Sequence, residues 1–188
     1  MTDTLIIIVI NCLAAFYFML PAYIANLSGL VFGGKKPIDN NKTLSDGRRL
    51  LGNGVTWTGL IAGTIMGTII GGIIGIVGLN IPELTGNIIN IHMPTTLSYG
   101  IIYGFIMGLG ALIGDAVGSF IKRRIGIDQG ESAPILDQLD FVIMSIILIY
   151  PFIPLSINFI LIICAMTIIL HLLSNSIAYL LGIKDVWY

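Results

Sequence analysis

Long, almost uncharged apolar stretches recur along this chain, and they leave little choice of fold. A run of about 18 or more such residues is long enough to cross the hydrocarbon core of a bilayer as a helix. Inside lipid the backbone must satisfy its own hydrogen bonds, which confines a spanning segment to helix or closed barrel. Helices are expected at about 5–32, 55–79, 98–120, 139–154 and 156–181. Composition agrees, with 56% of residues hydrophobic and only 10% charged, whereas a soluble domain has about a quarter charged. The expected fold class is an all-α integral membrane protein of about five transmembrane helices. It reads as one polytopic domain over 1–188, with two short cytoplasmic loops at about 33–54 and 121–138. The fourth helix is the short one. Its stretch from Asp140 to Pro154 gives about 22 Å at 1.5 Å per residue, against a core about 30 Å thick, so it is tilted with its neighbours or re-entrant.

Pro21 is expected to kink the first helix or end its regular part. The residues before Leu5 carry no basic run, so that helix reads as retained and not as a cleaved signal. Cys12 and Cys164 lie within apolar stretches and read as small packing residues.

The few charges are placed unevenly. Lys35, Lys36, Lys42, Arg48 and Arg49 fall between the first and second helices, Lys122, Arg123 and Arg124 between the third and fourth, and Lys184 in the tail. With five spans, all basic residues share one side, which the positive-inside rule makes cytoplasmic. The N-terminus is then outside and the C-terminus inside. Nucleic-acid binding is not expected, because the basic residues lie against the membrane.

Glycine recurs every fourth residue at Gly59, Gly63, Gly67, Gly71 and Gly75. It does so again at Gly100, Gly104 and Gly108, and at Gly110, Gly114 and Gly118. Such stripes let helices approach closely, although bare backbone also leaves room for a lipid chain.

The water-facing segments are too short to fold as a separate domain. Chemistry must therefore take place at the membrane interface, on a substrate already in the bilayer and a soluble partner from the basic side. Asp115 stands out, since a carboxylate costs about 2.5–3.5 kcal/mol at the centre of a spanning helix. At about 100° per residue it shares a helix face with Ser119 and Lys122. It either binds a cation or pairs with Lys122. Asp137, Gln138 and Asp140 open the fourth helix. Asp137 fits an N-cap, while Asp137 and Asp140 together fit a site for a divalent cation such as Mg²⁺, which prefers oxygen ligands and often bridges to phosphates. The basic residues read as topology determinants, lipid-headgroup contacts or phosphate clamps. Carboxylates for a metal, with Asp46 on the same side, and cations for phosphates together suit phosphoryl or nucleotidyl transfer.

Two blocks carry a family resemblance. One is Gly114-Asp115-Ala116-Val117-Gly118-Ser119-Phe120-Ile121-Lys122-Arg123-Arg124, and the other is Pro134-Ile135-Leu136-Asp137-Gln138-Leu139-Asp140-Phe141. With Pro21 to Asn26, Lys36-Pro37-Ile38-Asp39 and Asp46 to Gly52, they resemble the archaeal CDP-archaeol synthases nearly end to end. More loosely they are similar to the bacterial CDP-diacylglycerol synthases. The resemblance implies a CTP-dependent, Mg²⁺-requiring cytidylyltransferase acting on an isoprenoid glycerol-ether lipid phosphate, 2,3-bis-O-geranylgeranyl-sn-glycerol 1-phosphate. Asp115, Asp137 and Asp140 would hold metal, with Lys122 beside them as a catalytic cation. Asn26, Asp46, Arg48, Arg49, Thr56, Ser119, Arg123, Arg124 and Gln138 would bind substrate. The chain departs from its relatives at Asn53, Val55 and Thr58, which are neutral where basic residues are common. Two other classes remain open: a CDP-alcohol phosphotransferase-like lipid enzyme, whose aspartate pattern Asp46-Gly47-Arg48-Arg49 does not fit, and a small transporter or channel using Asp115.

Overall fold

The computed structural model describes residues 2–85, 89–180 and 182, so Lys184 lies outside the described residues. The order is α1 (Thr2–Val31), α2 (Trp57–Val77), α3 (Ile81–Leu84), α4 (Leu97–Ile125), α5 (Leu136–Ile149) and α6 (Ile157–Leu180). The fold is all-helical. Among the described residues, four helices are long and apolar enough to cross a membrane: α1, α2, α4 and α6. The fifth expected span, α5, has 14 residues, or about 21 Å of axis, and is too short to cross alone.

Local signals explain most boundaries. The Thr56 side chain caps α2 by accepting from the Gly59 N–H, and α2 ends at Gly78, left-handed at φ 60°. Thr96 caps α4, which ends at Gly126 with φ 92°. α4 therefore runs past residue 120, and Lys122, Arg123 and Arg124 occupy its last turn instead of a loop. Cations suit that end of the helix dipole. α5 starts at Leu136, three residues earlier than expected. It stops at Ile149 because Pro151 and Pro154 follow, and neither could donate a backbone hydrogen bond to a continuing helix. α1 continues through Pro21, which is fully buried, so the proline does not end it.

The glycine stripes are spent on helix contact. A β-carbon at Gly67 would lie 2.8 Å from the Gly108 Cα, and one at Gly71 would overlap the backbone of Gly100 and Gly104. Toward the other end of α2, a β-carbon at Gly63 would meet the Ala25 carbonyl at 2.5 Å, and one at Gly59 the Gly29 carbonyl at 2.7 Å. On α4 the second stripe faces α5, with Gly110 against Ser145 and Gly114 against Asp140 and Phe141. α4 is thus clasped by α2 on one side and α5 on another. Phe18, Met19, Met107, Ile149 and Ile163 fill the centre. Ser145 donates its hydroxyl to the Met107 and Phe141 carbonyls, and the Tyr23 hydroxyl meets that of Thr167 at 2.7 Å. The outward row Ile61, Ile65, Ile69 and Ile73 on α2 is half exposed, as a lipid-facing surface requires.

Candidate active site

The last turns of α4 meet the first turn of α5, and four charged side chains converge there. Lys122 Nζ lies 2.7 Å from Asp137 Oδ1. Asp137 Oδ2 accepts the Ala133 N–H at 2.9 Å. Asp140 Oδ1 accepts the Phe141 N–H at 2.6 Å, while its Oδ2 rests directly on Gly118 of α4. Asp115, Asp137, Asp140 and Lys122 lie within each other's electrostatic reach. One carboxylate thus pairs with the ammonium, and two more lie near enough to feel it.

The expected N-cap at Asp137 is not what begins α5. The residue before the helix is Ile135, at φ 71° and ψ −51°, and no side chain caps it. Positive φ is costly for a β-branched residue. The turn is held by the Asp137 and Leu139 N–H groups, donating to Ala133 O and Ile135 O at 3.0 Å each. Asp137 reaches back into that turn instead of capping the helix, which presents its Oδ1 to Lys122. Gln138, next along, is buried, and its Oε1 is without a hydrogen-bond partner. Asn26 is half-buried on α1, one turn beyond Tyr23, whose ring packs on Phe141 of α5 at 5.9 Å. Ser119 is half-buried on α4.

The four arginines Arg48, Arg49, Arg123 and Arg124 form a second group, which ties segment 33–54 to the end of α4. Its hub is Asp39, buried and not singled out by sequence reasoning beyond the Lys36-Pro37-Ile38-Asp39 block. Asp39 accepts from Arg49 Nη2 at 2.8 Å and Nε at 3.3 Å, and from the backbone N–H of Asn41, Leu51 and Gly52. Burial would raise its pKa, but Arg49 and these three N–H groups outweigh it and hold the carboxyl at about 2. Arg49 Nη1 goes to Asn53. Arg124 pairs with Asp46 at 2.5 Å and donates to the Arg49 carbonyl. Asp46 is held below the usual carboxylate range, chiefly by the Arg48 backbone N–H and, against slight burial, by Arg124. Arg123 is buried and donates to the Leu51 and Ile127 carbonyls, and Arg48 donates to the Arg123 carbonyl.

Three of the residues expected to bind substrate are engaged within the protein. Arg123 is enclosed and spent on carbonyls, and Arg49 is spent on Asp39 and Asn53, so both brace the loop before they clamp anything. Thr56 is buried as a cap, accepting from Gly34 and Gly59 N–H. Arg48 remains exposed beside a cavity of about 260 Å³ lined also by Arg49, Arg123, Asp128 and Gln129. A second, apolar groove of about 350 Å³ lies under Leu50 and Leu51 along Ile113, Ala116, Val117 and Phe120. Those positions lie on the side of α4 turned largely away from Asp115, Ser119 and Lys122.

Among the described residues, no three acidic, histidine or cysteine side chains stand in ready metal-binding geometry. The donor chemistry nonetheless fits a hard divalent cation. The oxygens are carboxylate, and a cation, the Lys122 ammonium, is already drawn onto one of them.

Comparison with known proteins gives this arrangement its context. Residues 5–188 match the profile described as CarS-like, CDP-archaeol synthase. The chain belongs to the CDP-archaeol synthase family. A CDP-archaeol synthase of Methanothermobacter thermautotrophicus is 54% identical over 186 residues, 99% of each chain. One of Methanococcus aeolicus is 46% identical, covering 98% of this chain and 99% of its own. A solved structure of an intramembrane enzyme for archaeal membrane lipid biosynthesis superposes with a TM-score of 0.71 at 37% identity. It covers 87% of this chain and 93% of its own. With its apolar helices, this CDP-archaeol synthase family member is a multi-pass membrane protein.

Proposed function

We propose that the charged junction of α4 and α5 is where this protein joins CTP to an archaeal lipid phosphate. Membership of the CDP-archaeol synthase family makes the chain a CTP-using cytidylyltransferase that forms CDP-archaeol in the membrane. The finer reading concerns substrate, metal, orientation and residues. The lipid is 2,3-bis-O-geranylgeranyl-sn-glycerol 1-phosphate, the products are its CDP derivative and pyrophosphate, and the site faces the cytoplasm. The observation that carries it is the convergence of Asp115, Asp137, Asp140 and Lys122 on the basic end of the helices.

An oxygen of the lipid phosphate attacks the α-phosphorus of CTP. One P–O bond forms there, the bond to the β-phosphate oxygen breaks, and pyrophosphate leaves with its electron pair. The phosphate monoester is already largely ionised near neutral pH (second pKa about 6), so no general base is required. Cytidylyltransferases of this type are generally metal-dependent. Mg²⁺ would supply charge neutralisation on the triphosphate, held by Asp115, Asp137 and Asp140. Lys122 shields the carboxylates from each other and is poised to turn to a phosphate. Arg48 and Arg124 offer cations at the loop. Gln138 and Asn26 offer amides beside the junction, and Ser119 a hydroxyl. The phosphotransferase and transporter readings are not favoured by the family match.

The test is direct. Purified protein given CTP, Mg²⁺ and the lipid phosphate is expected to release pyrophosphate and CDP-lipid in equal amounts. Folded protein that makes neither product overturns the reading. Asp115→Asn is expected to lower turnover by at least about a hundredfold, the lower range for losing one charge-stabilising group. An active, folded Asp115→Asn protein removes Asp115 from the site.

A further inference from the structure

Gly118 lies between Asp115 and Lys122 in sequence and on the same face of α4, three residues after the one and four before the other. Its position is explained by what rests on it. A β-carbon built there would overlap Asp140 Oδ2, and would stand 2.8 Å from Asp140 Cγ and 2.9 Å from its Cβ. One turn earlier, a β-carbon at Gly114 would overlap the Asp140 carbonyl and stand 2.6 Å from Phe141 Cα. Asp140 therefore straddles two glycines, its main chain on one and its carboxylate on the other.

The contacts differ in kind along the stripe. At Gly110 the facing atoms are Ser145 Cα and N and the Met144 carbonyl, all backbone. At Gly118 the three nearest atoms all belong to the Asp140 side chain. Helix packing accounts for Gly110 and Gly114. At Gly118, what the missing side chain makes room for is a carboxylate.

We propose that Gly118 is a positioning residue. Its bare backbone is the seat that brings the Asp140 carboxylate alongside Asp115, Asp137 and Lys122. A methyl group there would push Oδ2 off α4 and open the carboxylate set without replacing any member of it. The inference rests on the functional reading above, because the carboxylates matter as a set only if they hold a cation.

The experiment is Mn²⁺ binding, read by the loss of free-ion electron paramagnetic resonance signal, on detergent-purified wild type, Gly118→Ala and Gly110→Ala. Gly118→Ala is expected to weaken binding about tenfold or more, as displaced supporting groups do in metal sites. Gly110→Ala, which clashes with the same helix at its backbone, is expected to lower thermal stability and leave Mn²⁺ affinity within about twofold, having no contact with the ligands. Equal affinity in Gly118→Ala and wild type overturns the proposal, as does an equal loss in both variants. Absence of Mn²⁺ binding by wild type overturns it too.

Should Gly118→Ala fold poorly, the double variant Gly118→Ala/Asp140→Ala decides. Removing the carboxylate should relieve the methyl clash, so the melting temperature of the double variant should match that of Asp140→Ala alone. A further drop means that Gly118 is only a packing residue. Failure of wild type to form CDP-lipid while Mn²⁺ binding still separates the variants would sink the functional reading and leave the seat at Gly118 intact.

Discussion

At the scale of the residue, identical side chains in this protein have different tasks. Asp115 could be picked out from sequence because helical periodicity fixes which face a residue occupies and a carboxylate in an apolar helix needs a reason to be there, and Asp137 and Asp140 because they pair at the start of a helix. The arginines could not be sorted that way. Where a long guanidinium ends depends on which loop folds over it, and Arg49, Arg123 and Arg124 end on Asp39, on carbonyls and on Asp46. Asp39 was legible only as part of a familiar block, since its five hydrogen bonds come from residues ordered by the loop itself. It gives a pH prediction. Its carboxyl falls from 3.8 to about 2 on folding. A depressed pKa stabilises fully above the unfolded value and is lost as pH falls through the folded one, so the window is about pH 4 to 2. The gap corresponds to about 2 kcal/mol. Asp39→Asn should melt several degrees lower than wild type at pH 7. The two melting curves should converge as the pH approaches 2, and a constant difference between them would deny Asp39 this role.

At the scale of the element, sequence located the helices well and their ends less well. The apolar runs and the threonine and glycine caps were visible, but α4 carries its basic residues one turn into what reads as loop. α5 is shortened by two prolines on one side and opened by the strained turn at Ile135 on the other. That turn has no local signature, because a positive φ at isoleucine is imposed by surroundings. The four-residue glycine spacing was the clearest signal, and the structure resolves its ambiguity: the stripes are filled by neighbouring protein, mostly backbone, with the Asp140 carboxylate at Gly118. Adjacent glycines on α2 test this. Gly71→Ala drives a methyl into the backbone of Gly100 and Gly104, and should cost about 1–3 kcal/mol. Gly72→Ala meets only Leu97 and Ile101 side-chain atoms, at 3.4 and 3.5 Å. It should be neutral or gain up to about 1 kcal/mol from helix propensity. Thermal unfolding in detergent reads both, and equal effects would mean that α2 and α4 are not in backbone contact.

At the scale of the whole molecule, the unequal placement of charge predicts orientation. Lys42 is exposed at the basic end and Thr95 at the opposite end, before α4. With Cys12 and Cys164 replaced by alanine, Thr95→Cys should react with an impermeant maleimide in right-side-out vesicles. Lys42→Cys should react only after the membrane is opened. The reverse pattern would invert the topology. Sequence alone could not show that the two basic segments are one assembly, because Arg124–Asp46 and Arg48–Arg123 join residues more than seventy positions apart. The helix lengths add something else. The 29 residues of α4 measure about 43 Å, enough to cross hydrocarbon and both headgroup layers. Asp140 meets it at Gly118, seven residues and thus about 10 Å short of its end. The carboxylates therefore sit on a ledge below the rim of this long helix. On the functional reading proposed above, a lipid substrate would not have to be lifted out of the leaflet to react, and only the water-soluble partner would have to descend.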